Sequence, residues 1–167
     1  EPFVGGGSVF FAKQKAKVNW INDIFKELVN IYSIIQDNRK YPVFKELLSK
    51  EKANKNRYAE IKAFVPKNEI ELAFKYYYMD RTSFSGKLIS PAWGYREKRS
   101  IPPERWQEVL EPAHNKLGAT KITSVDFEKV INAPSKYSKV LLYLDPPYFV
   151  PPKTKHYVNG FSQSDHI

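Results

Sequence analysis

The residues richest in chemistry stand near the end of the sequence, in Leu144-Asp-Pro-Pro-Tyr-Phe-Val-Pro-Pro152. Asp145 contributes a carboxylate. Pro146 and Pro147 each remove a backbone N–H and hold φ at about −65°, so the loop they form is stiff and offers only acceptors. Such a loop suits a ligand group that donates hydrogen bonds, such as an amine, and Tyr148 adds an aromatic face beside it. A rigid turn carrying a solvated Asp is the plainer alternative.

A second cluster opens the sequence, Glu1-Pro-Phe-Val-Gly-Gly-Gly-Ser8. A glycine turn between a strand and a helix lets a ligand approach the backbone closely. Gly5 and Gly7 fit the first two glycines of a dinucleotide fingerprint, but Phe10 stands where the third belongs. No Lys-Ser/Thr pair follows, so a phosphate-gripping loop is excluded, and Glu1 would repel a pyrophosphate. The turn better suits a positively charged ligand without phosphate, and S-adenosylmethionine, with its sulfonium and α-ammonium, is one. A turn that serves only the fold stays open.

Acids recur at the ends of other β-prone runs. Asp23 closes residues 17–22, where it either accepts the two hydroxyls of a ribose or caps the following helix. Asp126 closes residues 121–126 with the same two readings, and Phe127 beside it either walls an adenine ring or fills core. Asp145 closes the apolar run before the double proline. In an open α/β sheet, ligands bind outside the carboxyl ends of the strands. Four such ends with acids or glycines point to one site.

The elements that must position these groups are legible from spacing. A strand end, the glycine turn and a helix from Ser8 through residue 17 come first. A strand at 17–22, a helix at 24–37 with Ile24, Leu28, Ile31 and Ile35 on one face, and basic amphipathic stretches at 42–52 and 57–65 follow. Residues 68–81 read as helix and 82–102 as loop with short strands. A helix starts at the prolines 102–103 and ends at Gly118. Residues 121–126 read as strand, 127–133 as a short helix and 139–145 as a further strand. Apart from the middle, the alternation implies a parallel α/β sheet with crossover helices. The middle, 40–117, reads as an inserted helical domain between a first part (1–39) and a second part (118–167), and both ends read as cut from a longer chain.

Composition narrows the partners. The 167 residues are 42% hydrophobic, enough for one domain core plus a small insertion, and carry a formal charge of +9, which fits a polyanion. Without Cys, and with three scattered His, thiolate and zinc-spaced metal sites are excluded, so no metal is expected. No apolar run reaches the ~20 residues of a membrane span, and no signal peptide opens the chain. A cytoplasmic protein without a membrane is expected from composition.

The segments "EPFVGGGSVFF", "INDIFKELVNIYSII", "YYYMDRTSFSG" and "YLDPPY", in this order, resemble the Dam-type adenine-specific DNA methyltransferases. The resemblance covers nearly the whole chain. It implies a Rossmann-like S-adenosylmethionine-dependent methyltransferase fold with an inserted, mainly helical DNA-recognition domain. It also implies double-stranded DNA as partner and methyl transfer to the exocyclic amino group of adenine. A prokaryotic or phage-encoded origin and action as a monomer are implied only by this resemblance. The cofactor would then lie against Glu1, Pro2, Phe3, Gly5, Gly7, Asp23, Asp126, Phe127 and Asp145. The catalytic loop would be Asp145, Pro146, Pro147 and Tyr148. A base inside a duplex must be flipped out to meet a methyl donor. Asp145 and the Pro146 carbonyl would each accept one amino hydrogen of the flipped base, and Tyr148 would stack on its ring.

The same resemblance places DNA contacts at Arg81, Phe84, Ser85, Lys87, Trp93, Tyr95 and Arg96, with Phe84 as the aromatic that wedges into the duplex. The cations of 39–67 (Arg39, Lys40, Lys45, Lys50, Lys52, Lys55, Arg57, Lys62 and Lys67) are expected to meet phosphates as a group. GATC-specific relatives carry a guanine-reading arginine where this chain has Ile89, so no target sequence is assigned. Methylation of cytosine N4, or a DNA-binding module without catalysis, are the alternatives.

Overall fold

The computed structural model describes residues 1–86 and 91–147. The chain divides into two compact units, one of residues 1–29 with 119–167 and one of residues 30–118.

The first unit is built on a parallel pair, as the alternating pattern predicts. Strands β1 (Trp20–Asn22) and β2 (Lys121–Thr123) run in parallel, with Trp20 opposite Lys121 and Asn22 opposite Thr123. Asn19 O and Asp23 N face β2, whereas Trp20 O and Asn22 N bond to Glu1 N and Glu1 O. The opening residues therefore lie along the other edge of β1 with parallel geometry, although they are too short to form a strand of their own. Helix α1 (Ser8–Ala12) starts after Gly7 and ends five residues short of the expected Lys17. Lys13 turns extended to pair with Glu1, and residues 14–17 hold no large apolar side chain that a helix could bury. Val4, Phe10, Ile21, Val29 and Val130 are its buried hydrophobic positions among the described residues, the last on α7 (Phe127–Ile131).

The expected strand at 139–145 is corrected. This run takes no regular structure and pairs with neither strand, and Val140, Leu141 and Leu144 are exposed, Leu141 by 86%. Apolar sequence alone does not make a parallel strand. Such a strand needs a hydrogen-bonded neighbour and cover on both faces, and the described residues provide neither.

Helix α2 (Lys26–Gln36) spans the boundary between the units, buries Ile31, Ile34 and Ile35, and leaves Ile24 outside it and exposed. The second unit packs α3 (Lys40–Ser49), α4 (Lys55–Ala63) and α6 (Gln107–Leu117) with α5 (Glu69–Thr82), which touches both α3 and α4. Asn54 and Asn68 cap α4 and α5 by accepting from the N–H three residues on, at 2.9 Å each. Helical spacing sets the buried face of α5: Ala73, Phe74, Tyr77 and Tyr78 recur at i, i+1, i+4, i+5. Trp106 stands edge-on to Tyr77 and Tyr78, with centroids at 5.6 and 5.8 Å, and its indole N–H reaches Ile101 O. Gly118 ends α6, as its position after the last apolar residue predicts.

Candidate cofactor site and nucleic-acid surface

In the first unit the glycine turn is fastened to the end of β1. Val4 N bonds to Asn22 O, Gly7 N closes the turn on Val4 O, and Gly5 N donates to Asp23 Oδ2 at 2.9 Å. Gly5 and Gly7 have φ of 48° and 71°, a left-handed backbone that side chains with a Cβ rarely adopt. Apart from its chain neighbours, no heavy atom of the described residues lies within 4 Å of where a Cβ would stand on Gly5 or Gly6. The backbone there faces open space.

Asp23 serves the local structure with both oxygens: Oδ2 takes Gly5 N, and Oδ1 takes Phe25 N just before α2 at 3.0 Å. Because α2 begins at Lys26, the bond to Phe25 N shapes the turn that enters the helix and is not an N-cap. Each oxygen keeps a further lone pair for a ligand hydroxyl. The Glu1 side chain is only 5% exposed; Lys13 Nζ lies 3.3 Å from its Oε1, yet that atom accepts no hydrogen bond. The contact is ionic without hydrogen-bond alignment. Phe3 and Phe127 meet with centroids at 5.2 Å, and Asp126 caps α7 through Glu128 N.

Asn22, which no sequence motif singles out, joins these parts. Its buried amide donates to Pro2 O and Val125 O, and its carbonyl accepts from Val125 N and Thr123 Oγ1, at 2.7–3.0 Å. Thr123 Oγ1 in turn accepts from the Trp20 indole. All four hydrogen-bonding positions of one side chain are filled, and they tie the glycine turn to the loop that carries Asp126. The structure therefore brings Glu1, Pro2, Phe3, Gly5, Gly7, Asp23, Asp126 and Phe127 around the carboxyl ends of β1 and β2. Asp145 is exposed, with no hydrogen bond or ion pair to them among the described residues, and Pro146 and Pro147 follow it half-buried. Tyr148 lies outside the described residues.

In the second unit, the segment after α5 folds back on itself. Ser83 pairs with Trp93 as an antiparallel bridge, Phe84 N bonds to Ala92 O, and Gly94 N bonds to Thr82 O. This closure holds Phe84 in solvent, 55% exposed. Arg81 lies over the Tyr77 ring at 5.2 Å. Beside it, burial raises the pKa of Asp80 and the guanidinium partly offsets the shift. Trp93 packs edge-on to Tyr58 and against Tyr95, and Arg96 is exposed. Lys87 and Ile89 lie outside the described residues, as does the side chain of Ser85.

Several cations of 39–67 are occupied within the unit. Lys40 pairs with Asp37 and Glu69, Lys45 with Glu111, and Lys50 with Glu46. Arg57 forks onto Glu51, whose side chain is 8% exposed, at 2.7 and 2.8 Å, and also reaches Glu60. Lys62 donates to Pro91 O.

A profile of the D12 class N6 adenine-specific DNA methyltransferases matches residues 1–167. The chain belongs to that family. It is 30% identical over 189 residues to the type II methyltransferase M1.LlaDCHI of Lactococcus lactis subsp. cremoris, covering all of this chain and 63% of that protein. To the type II methyltransferase M.CviBI of Paramecium bursaria Chlorella virus NC1A it is 24% identical over 156 residues, 89% of this chain and 58% of the relative. The D12 chain thus spans about six tenths of the length of these relatives. Its described residues hold no cluster of three potential metal ligands and no helix long and apolar enough to cross a membrane.

Proposed function

We propose that this D12-family chain carries the centre of an S-adenosylmethionine-dependent DNA adenine-N6 methyltransferase. The observation that carries the reading is the open glycine turn held to Asp23 beside a buried Glu1 carboxylate, in a chain matched throughout by this family. The turn fits a ligand that bears positive charge and hydroxyls. Its backbone lies open, Asp23 has acceptor capacity to spare, and Glu1 Oε1 is a buried acceptor without a hydrogen bond. Glu1 to Gly7 and Asp23 would hold the cofactor, with Phe3 and Phe127 as an apolar wall and Asp126 nearby. Bound there, S-adenosylmethionine supplies an electrophilic methyl group.

The chain's own residues do the rest. An adenine amino group is a poor nucleophile because its lone pair is delocalised into the ring. Asp145 and the Pro146 carbonyl each accept one amino hydrogen, which draws the nitrogen toward tetrahedral geometry and aims its lone pair. Pro146 and Pro147 present no competing N–H. Tyr148 stacks on the flipped ring, a contact worth about 1–3 kcal/mol in single-strand binders. The acceleration comes from alignment and from acceptors placed where positive charge develops. The first unit is read as the Rossmann-like catalytic part, and the inserted second unit as the DNA-recognition part.

Plasmid DNA incubated with the protein and cofactor, then mapped for modified bases, tests the reading. N6-methyladenine at a defined sequence is expected. N4-methylcytosine would move the activity to the alternative base, and unmodified DNA would leave a binding module.

A further inference from the structure

A groove of about 670 Å³ lies within the second unit, between the start of α4 and the turn at 93–99. Asn54, Lys55, Trp93, Tyr95, Arg96 and Arg99 line it. Lys98 lines it as well, and Glu97 is the one acid among the described residues that do.

Two features suit this groove to a phosphate. Lys55, Arg96, Lys98 and Arg99 are exposed and take no ion pair among the described residues. Lys40, Lys45, Lys50 and Arg57 on the same unit are paired, whereas Arg39, Lys52 and Lys67 are exposed without an ion pair among the described residues but do not line the groove. A paired cation must give up its carboxylate before it can neutralise a phosphate, whereas an unpaired one releases nothing but water. The groove is also preformed. Arg96 N bonds to Ser100 Oγ, and Arg99 N and Ser100 N both bond to Arg96 O, which closes a tight turn under the cations. Lys62 holds Pro91 O, and Tyr58 stands edge-on to Trp93 with centroids 5.4 Å apart. The groove therefore does not have to be ordered on binding.

We propose that this groove, rather than the ion-paired cations of α3 and α4, seats the phosphodiester backbone of the DNA. Phosphates would lie between Lys55 and the Arg96–Arg99 turn, and a deoxyribose would rest on the half-buried faces of Trp93 and Tyr95. Such interactions are with the backbone and carry no sequence information. The proposal rests on the DNA methyltransferase reading and deepens it by locating its phosphate grip.

The test is the salt dependence of duplex binding, measured by fluorescence anisotropy without cofactor. The slope of log affinity against log salt falls by about 0.9 for each B-DNA phosphate that the protein ceases to neutralise. Lys55→Ala/Arg96→Ala/Arg99→Ala should reduce the slope by about 2–3, while Lys45→Ala/Lys50→Ala should leave it within error of the parent. Glu97→Lys should steepen it by about one, a gain that a misfolded protein cannot imitate. Equal slopes for the triple variant and the parent, or a flatter slope in the Lys45/Lys50 variant instead, would overturn the groove while leaving the methyltransferase reading intact. A parent protein that does not bind duplex DNA would overturn both.

Discussion

Gly5 N donates to Asp23 Oδ2 at 2.9 Å, so the residue proposed to meet a ribose also sets the shape of the glycine turn. One side chain links the end of β1 to the loop where a cofactor would lie. Its removal should therefore act on binding and on stability together.

Asp23→Ala is expected to weaken S-adenosylmethionine binding more than tenfold in calorimetry and to lower stability by about 1–3 kcal/mol through loss of its bonds to Gly5 N and Phe25 N. Asp23→Asn keeps one acceptor oxygen and should recover part of both. If affinity is unchanged while stability falls, Asp23 has a structural role alone.

Asn22 is expected to matter more for folding than for binding. Asn22→Leu would leave Pro2 O, Val125 O, Val125 N and the Thr123 hydroxyl without their partner. Each buried group left unpaired costs about 1–3 kcal/mol. Urea denaturation should show a loss of several kcal/mol, larger than for Asp23→Ala. A loss below about 1 kcal/mol would mean water replaces the amide readily.

The closure at Ser83–Trp93 allows its backbone and its tip to be tested separately. A Cβ on Gly94 would stand 2.3 Å from Phe84 N and Cα, so Gly94→Ala must push the two segments apart. Thermal unfolding should show clear destabilisation. Phe84→Ala removes an exposed ring and should change stability by under about 0.5 kcal/mol, while slowing methylation of duplex DNA far more than of a duplex with a mismatched target base. Equal slowing on both substrates would remove Phe84 from base flipping.

Arg57 should behave as a structural cation. Arg57→Ala leaves Glu51 buried without its fork, and breaking such a pair costs about 3–5 kcal/mol when fully buried, less here because Arg57 is partly exposed. Denaturation should register the loss, with the salt slope of DNA binding nearly unchanged in folded protein. A flattened slope at full stability would return Arg57 to the phosphate-binding cations.

The sequence makes local order legible and long-range partners much less so. The spacing of Ala73, Phe74, Tyr77 and Tyr78, and the caps Asn54 and Asn68, mark helices because their causes lie within a few residues. Parallel pairing of β1 and β2 followed from the strand–helix alternation. Asn22 escapes a local reading because its partners, at Pro2 and Val125, are 20 and 103 residues away. In the expected phosphate run at 39–67, Lys45 is taken up by Glu111, 66 residues on, a pairing that no local pattern announces. The run at 139–145 reads as a strand on hydrophobicity, but a strand is defined by its neighbours. At the candidate site Asp23 and Asp126 follow β1 and β2 as their order in the sequence suggests, whereas Glu1 lies beside β1, bonded to Trp20 O and Asn22 N, which no local pattern announces.

The central claim, that the loop at Asp145 performs methyl transfer, is tested most directly by the turnover of Asp145→Ala with tritiated S-adenosylmethionine on duplex DNA. Turnover is expected to be abolished while DNA binding at low salt is retained, because Asp145 lies outside the 30–118 unit to which the phosphate grip is assigned. Tyr148→Ala should fall between that variant and the parent, and Tyr148→Phe should stay near the parent. If Asp145→Ala keeps more than about a tenth of parental activity, a barrier change under ~1.4 kcal/mol, the acid and its prolines form a stiff turn and the catalytic assignment is wrong.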